Sequence, residues 1–165
     1  MLSEKMEKAL NDQIREELFS AYLYLSMAAW FKSQNLDGFS MWMVMQFKEE
    51  QAHAQKFYDY IHDRRGTVKL QAIDAPQTEW KSALDAFEAS FKHEQHITGR
   101  IKYLYDMAVE DNDRATQVFL DWFVTEQVEE ESSVDEYVQL LKMVGDKPQG
   151  LFMVSHQAGQ RGAGN

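Results

Sequence analysis

Apolar side chains recur at helical spacing along almost the whole chain. Over residues 4–33, Leu10, Ile14, Leu18, Ala21, Leu25 and Ala28 form one stripe of an amphipathic helix. Ser3 stands just before it, where a hydroxyl can accept from a free backbone N–H. Asn35-Leu36-Asp37-Gly38 reads as a turn. A second helix is expected from about Phe39 to Arg65, marked by Trp42, Met45, Phe47, Ala54, Phe57 and Ile61 and ended by Gly66. Ser82-Ala83-Leu84-Asp85 is a capping-box variant that opens a third helix. Leu84, Phe87, Phe91, Ile97, Ile101, Leu104 and Ala108 mark its apolar side, and Gly99 lies inside it at some cost in propensity. Asp113 can cap a fourth helix that carries Phe119, Leu120, Phe123, Val134, Tyr137, Leu141 and Val144 and stops at Gly145. Beyond Pro148, Leu151-Phe152-Met153-Val154 suits a short fifth helix over about residues 149–157. Residues 158–165 read as a mobile tail.

Residues 66–81 break the helical pattern. Val68, Leu70 and Ile73 alternate with polar residues, but no second strand is there to pair with them. An extended connection of this length reaches up to ~50 Å, whereas the second helix is ~40 Å long. It can therefore run the length of a bundle and start the next helix at the far end. The expected fold is all-α: one domain over residues 1–165, with a four-helix bundle at about 4–145. A long crossover joins helices 2 and 3, and a short C-terminal helix follows.

Composition narrows the chemistry. The 165 residues hold 17 Lys and Arg against 27 Asp and Glu, a net charge of −10. That balance disfavours nucleic acid and anionic membrane as partners and favours cations. With no cysteine, disulfides, thiolate catalysis and Cys-based metal sites are excluded. The N-terminus lacks an apolar signal core, and no apolar run is long enough to span a bilayer, so a cytoplasmic location is expected.

Polar residues interrupt each apolar stripe near its middle. The second helix carries Glu50 and His53, three apart and so about 60° apart around the axis, close enough to share one metal ion. The first offers Glu17, with Tyr24 two turns on. The third offers Glu94 between Phe91 and Ile97, and the fourth offers Gln127 and Glu130 between Phe123 and Val134. Buried unpaired carboxylates are costly, and cations remove that cost. Glu and His in oxygen-rich surroundings suit a pair of iron or manganese ions. The known template of di-iron carboxylate bundles takes Glu from two helices and Glu-x-x-His from the other two. This chain departs from it, because its fourth helix has Gln127-x-x-Glu130.

Several stretches together resemble the bacterial non-haem ferritins over essentially the whole length. They are Glu16-Glu17-Leu18 with Tyr24, Glu49-Glu50-Gln51-Ala52-His53, Glu94-Gln95, Trp122 through Glu130, and Gly150-Leu151-Phe152. The resemblance implies one iron site from Glu17, Glu50 and His53. It implies a second from Glu50 as bridge with Glu94 and Glu130, Gln127 lying close by. A third, cavity-facing site would use Glu49, Glu126, Glu129 and Glu130. Tyr24 and Trp122 would stand beside the centre as electron donors. The implied function is ferroxidase activity with dioxygen or peroxide, and storage of Fe(III) oxyhydroxide in a hollow homo-oligomer of 24 subunits. No haem is expected, since Gln51 and Ala52 fill the gap where bacterioferritins carry a ligating Met.

Other readings stay open on the residues alone. Glu49, Glu126, Glu129 and Glu131 can be a solvated acidic face, and Tyr24 and Trp122 can be core aromatics. His62, His93, His96 and His156 have no partner pattern and read as surface or packing residues. A rubrerythrin-like di-iron reductase would share the bundle, though the Cys-iron domain usual there is absent. A metal-free helical interaction protein would explain the bundle but not the interior acids.

Overall fold

A computed structural model of the chain describes residues 1–162. It contains five α-helices: α1 Glu4–Ser33, α2 Asp37–Asp63, α3 Ala83–Glu110, α4 Arg114–Val144 and α5 Pro148–Gly159. No strand occurs among the described residues.

The cap residues sit where the sequence puts them. Ser3 accepts from the Met6 N–H, Ser82 from the Asp85 N–H and Asp113 from the Thr116 N–H. Asp85 in turn accepts from the Lys81 N–H at 2.9 Å, so the start of α3 is fastened from both sides. α2 begins at Asp37, two residues earlier than expected. Asn35, with φ at +58°, turns the chain sharply enough to leave only a three-residue connection between α1 and α2. α5 runs to Gly159 and continues as a 3₁₀ turn over Gln160–Gly162. Residues 163–165 of the expected tail lie outside the described residues.

Contacts across the helices fix their directions. Ser40 bonds to the Ala28 carbonyl at the top of the α1–α2 pair, and the Thr67 N–H bonds to Glu7 at the bottom, so these helices are antiparallel. Residues 64–82 carry no regular structure and run along α1. Asn11 holds them by accepting from Lys69 N–H and donating to the Thr67 carbonyl, and Ser26 donates to the Gln77 carbonyl further up. Trp80 packs edge-on against Trp30. The crossover thus spans the bundle, and α3 starts at the end opposite to where α2 stopped.

The interior is two apolar clusters with a polar layer between them. One gathers Tyr24, Phe31, Phe39, Trp42, Phe87 and Val134; the other gathers Leu10, Phe57, Ile97, Leu104, Leu120 and Phe123. The buried acids and amides lie at the level where these meet. Helix rotation differs in detail from the simple stripe. Leu25 is 40% exposed, and Met45 and Phe47 are half-buried, while Met43 and Gln46 are fully buried. Neighbouring helices set which arc of each helix is covered, and periodicity alone locates that arc only to within a residue.

Candidate metal centre

Each helix brings its polar residues into the layer because the flanking apolar residues face the same way. Glu17 and Glu94 are fully buried, and Glu50, His53, Gln127 and Glu130 nearly so. Three groups of ligand atoms lie mutually within 4.8 Å: Glu17, Glu50 and His53; Glu50, Glu94 and Glu130; and His53, Glu126 and Glu130. Glu50 belongs to two of them, and so do His53 and Glu130. His53 Nδ1 is 3.3 Å from Glu50 and 3.9 Å from Glu17, while its Nε2 is 3.8 Å from Glu126. One ring nitrogen thus faces each side.

Electrostatics make the layer a poor place for carboxylates without a cation. Burial, then the charges of Glu94, Glu17 and Glu130, push the Glu50 carboxyl well up. Burial raises Glu17. Glu94 is raised to about 7, chiefly by burial, against the lowering bonds from Tyr24 and Gln127. Glu130 is raised to about 8 by burial and the Glu94 charge. Glu17 Oε2 is buried with no hydrogen-bond partner among the described residues. An orphaned carboxylate oxygen aimed among other acids and an imidazole is the donor set of a divalent cation site.

The remaining expected residues differ in setting. Tyr24 is fully buried, donates to Glu94 and accepts from Ser90. Trp122 is 41% exposed, edge-on to the His53 ring at 5.5 Å between centroids, with the Lys56 ammonium over its own ring. Glu126 joins His53 and Glu130, whereas Glu49 bonds to Arg161 and is in none of the three groups. Glu129 is exposed and also in none of them. Gln127 donates toward Glu94 Oε2 at 3.2 Å and Thr98 at 3.3 Å. His93 is half-buried and 2.7 Å from the Ser20 hydroxyl; His62, His96 and His156 are exposed.

Two residues that hold the acids were not singled out from sequence. Gln13 donates to Glu17 at 2.8 Å and Gln46 donates to Glu130 at 2.7 Å, both from fully buried positions. The signal was present: each is an amide one helical turn before a central Glu and on its face. For Gln13 that Glu is the one it holds. Gln46 instead reaches across to α4, which its own helix could not reveal.

Comparisons with known proteins identify the family of the chain. Residues 7–144 match the family described as Ferritin-like domain. The chain is similar to a bacterial non-heme ferritin of Bacteroides fragilis, 43% identical over 98% of this chain and 100% of that one. It is 39% identical to the bacterial non-heme ferritin of Staphylococcus aureus, over 98% and 97% respectively. Among solved structures, an open pore ferritin from the hyperthermophilic archaeon Archaeoglobus fulgidus superposes with a TM-score of 0.95. It is 46% identical, with 96% of this chain and 98% of that one covered. With the family matched over most of its length and curated relatives aligned nearly end to end, the chain belongs to the ferritin family.

Proposed function

We propose that this protein stores iron and oxidises it on the way in, at a two-cation centre inside each subunit. Fe(II) is the substrate. Glu17, Glu50 and His53 hold one ion, and Glu50, Glu94 and Glu130 the other. The observation that carries the reading is Glu50, one carboxylate common to both groups of ligand atoms. A bridging carboxylate keeps two ions close enough for a single oxidant to take an electron from each.

The chain's own residues prepare that event. Gln13, Gln46 and Gln127 hold Glu17, Glu130 and Glu94 by donating to them, which keeps oxygens oriented toward the cations. The buried acids give up protons as cations bind, since both cannot occupy the same oxygens. Tyr24 and Trp122, in contact with Glu94 and His53, are the nearby electron donors. Glu126, Glu129, Glu130 and Glu49 form a third, looser cation site on the way to a mineral. Dioxygen or peroxide is the oxidant. A single subunit of 19.3 kDa encloses no space for a mineral, so storage requires a closed homo-oligomer, here read as 24 subunits in the cytoplasm. The comparisons lend no support to a rubrerythrin-like reductase.

Anaerobic Fe(II) titration followed by mixing with air tests the reading. The expected result is at least two ions per subunit, rapid oxidation and a large iron-filled particle on size exclusion. A small particle that turns over peroxide without retaining iron would refute storage.

A further inference from the structure

The C-terminal 3₁₀ turn carries a cation to one acid of α2. Arg161 Nη2 donates to Glu49 Oε2 at 2.7 Å. Its guanidinium carbon lies 4.7 Å from the centroid of the Trp42 ring. α5 delivers this turn. Its backbone packs on Gly38, where a Cβ would come within 1.6 Å of the Ser155 carbonyl, and Ser155 Oγ accepts from the Phe39 N–H.

Trp42, Gln46 and Glu49 follow one another at spacings of four and three along α2, so they share a face. Gln46, between the other two, is the residue that donates to Glu130. The guanidinium therefore sits on the same strip of α2 that supplies Glu49 and positions Glu130.

We propose that Arg161 is a built-in competitor for the third cation: it holds Glu49 in the metal-free subunit and must be displaced before a divalent ion can use that carboxylate. This rests on the reading of Glu49 as a third-site ligand. A carboxylate oxygen bonded to a guanidinium N–H offers a metal less than a free one does, and a second positive charge beside it repels the incoming ion. Stacking on Trp42 gives the guanidinium a resting place that does not depend on Glu49. Gln160–Gly162 lies beyond α5, so displacement does not require any bundle helix to unfold. The first two cations bind among Glu17, Glu50, His53, Glu94 and Glu130 without this competition, which orders the filling of the centre.

The test is calorimetric titration of the metal-free assembled protein with Zn(II), which is not oxidised. Wild type, Arg161→Gln, Arg161→Lys, Glu49→Gln and the Arg161→Gln/Glu49→Gln double variant are compared. In Arg161→Gln the first two ions should bind as in wild type and the third about tenfold more tightly. Arg161→Lys, which keeps the charge but loses the planar fork, should fall between. In the Glu49→Gln background, Arg161→Gln should change nothing. If Glu49→Gln weakens the third ion but Arg161→Gln leaves it as in wild type, Glu49 is a ligand and the competitor role alone is overturned. If Glu49→Gln has no effect on any bound ion, the third-site reading falls and the competitor role falls with it. Should Arg161→Gln not assemble, Arg161→Lys decides: third-ion affinity equal to wild type overturns the proposal.

Discussion

The side-chain amide of Gln46 on α2 donates to Glu130 on α4 at 2.7 Å, from a position with no solvent exposure. Its carbonyl oxygen, also buried, has no partner among the described residues. The amide stabilises the ionised form of Glu130, the form that binds a cation. Replacing it with Leu should leave the helix intact but raise the Glu130 carboxyl further. The second cation should bind about tenfold more weakly, as for loss of a bond to a charged group. Zn(II) titration of Gln46→Leu checks this; an unchanged second affinity would remove Gln46 from the list of positioning residues.

His53 is 3% exposed and faces ligand atoms on both sides. His53→Ala should lower the initial Fe(II) oxidation rate by at least about tenfold, because the first ion loses its only nitrogen ligand. The apolar clusters above and below it persist, so the helical circular dichroism should be retained. Stopped-flow absorbance after mixing Fe(II) with air measures the rate. A wild-type rate in a folded variant would sink the assignment of His53.

The metal-free protein should become less stable as pH rises from about 5 to about 8. Glu94 and Glu130 are raised to about 7 and about 8 in the folded chain, from an ordinary 4.5. Between those values the folded state binds more protons than the unfolded one, so raising pH favours unfolding. The stabilising contribution is complete below 4.5 and lost as pH passes the folded values. Saturating Zn(II) should flatten or reverse the trend, since the cation replaces the protons. Thermal melts with and without Zn(II) across this range decide it; a metal-free melting temperature that climbs with pH contradicts the burial argument.

Gly99 lies inside α3, is exposed, and a Cβ there would meet nothing within 4 Å. Gly99→Ala should therefore stabilise the subunit by about 0.5–1 kcal/mol, through lower backbone entropy in the unfolded chain. A rise of about 1–4 °C in melting temperature is the expected readout. A fall would mean that another subunit packs against this position.

The sequence determined most of what depends on residues close together in the chain. Apolar spacing located the four long helices, and Ser3, Ser82 and Asp113 marked three of their starts. Glu50 and His53 were legible as a pair because three residues along one helix fix their relation without any partner. Glu17, Glu94, Gln127 and Glu130 were legible because each interrupts an apolar stripe, and a polar residue there must face the interior. What crosses between helices was decided by tertiary structure alone. Gln46 serves Glu130 and not Glu50, and Glu49 is bonded to Arg161, 112 positions away. Leu25 faces outward while Met43 is buried. The reason is geometric. Helical periodicity sets the angle between residues on one helix, but rotation against its neighbours is fixed by the packing of all the side chains between them, and a small rotation changes which groups meet.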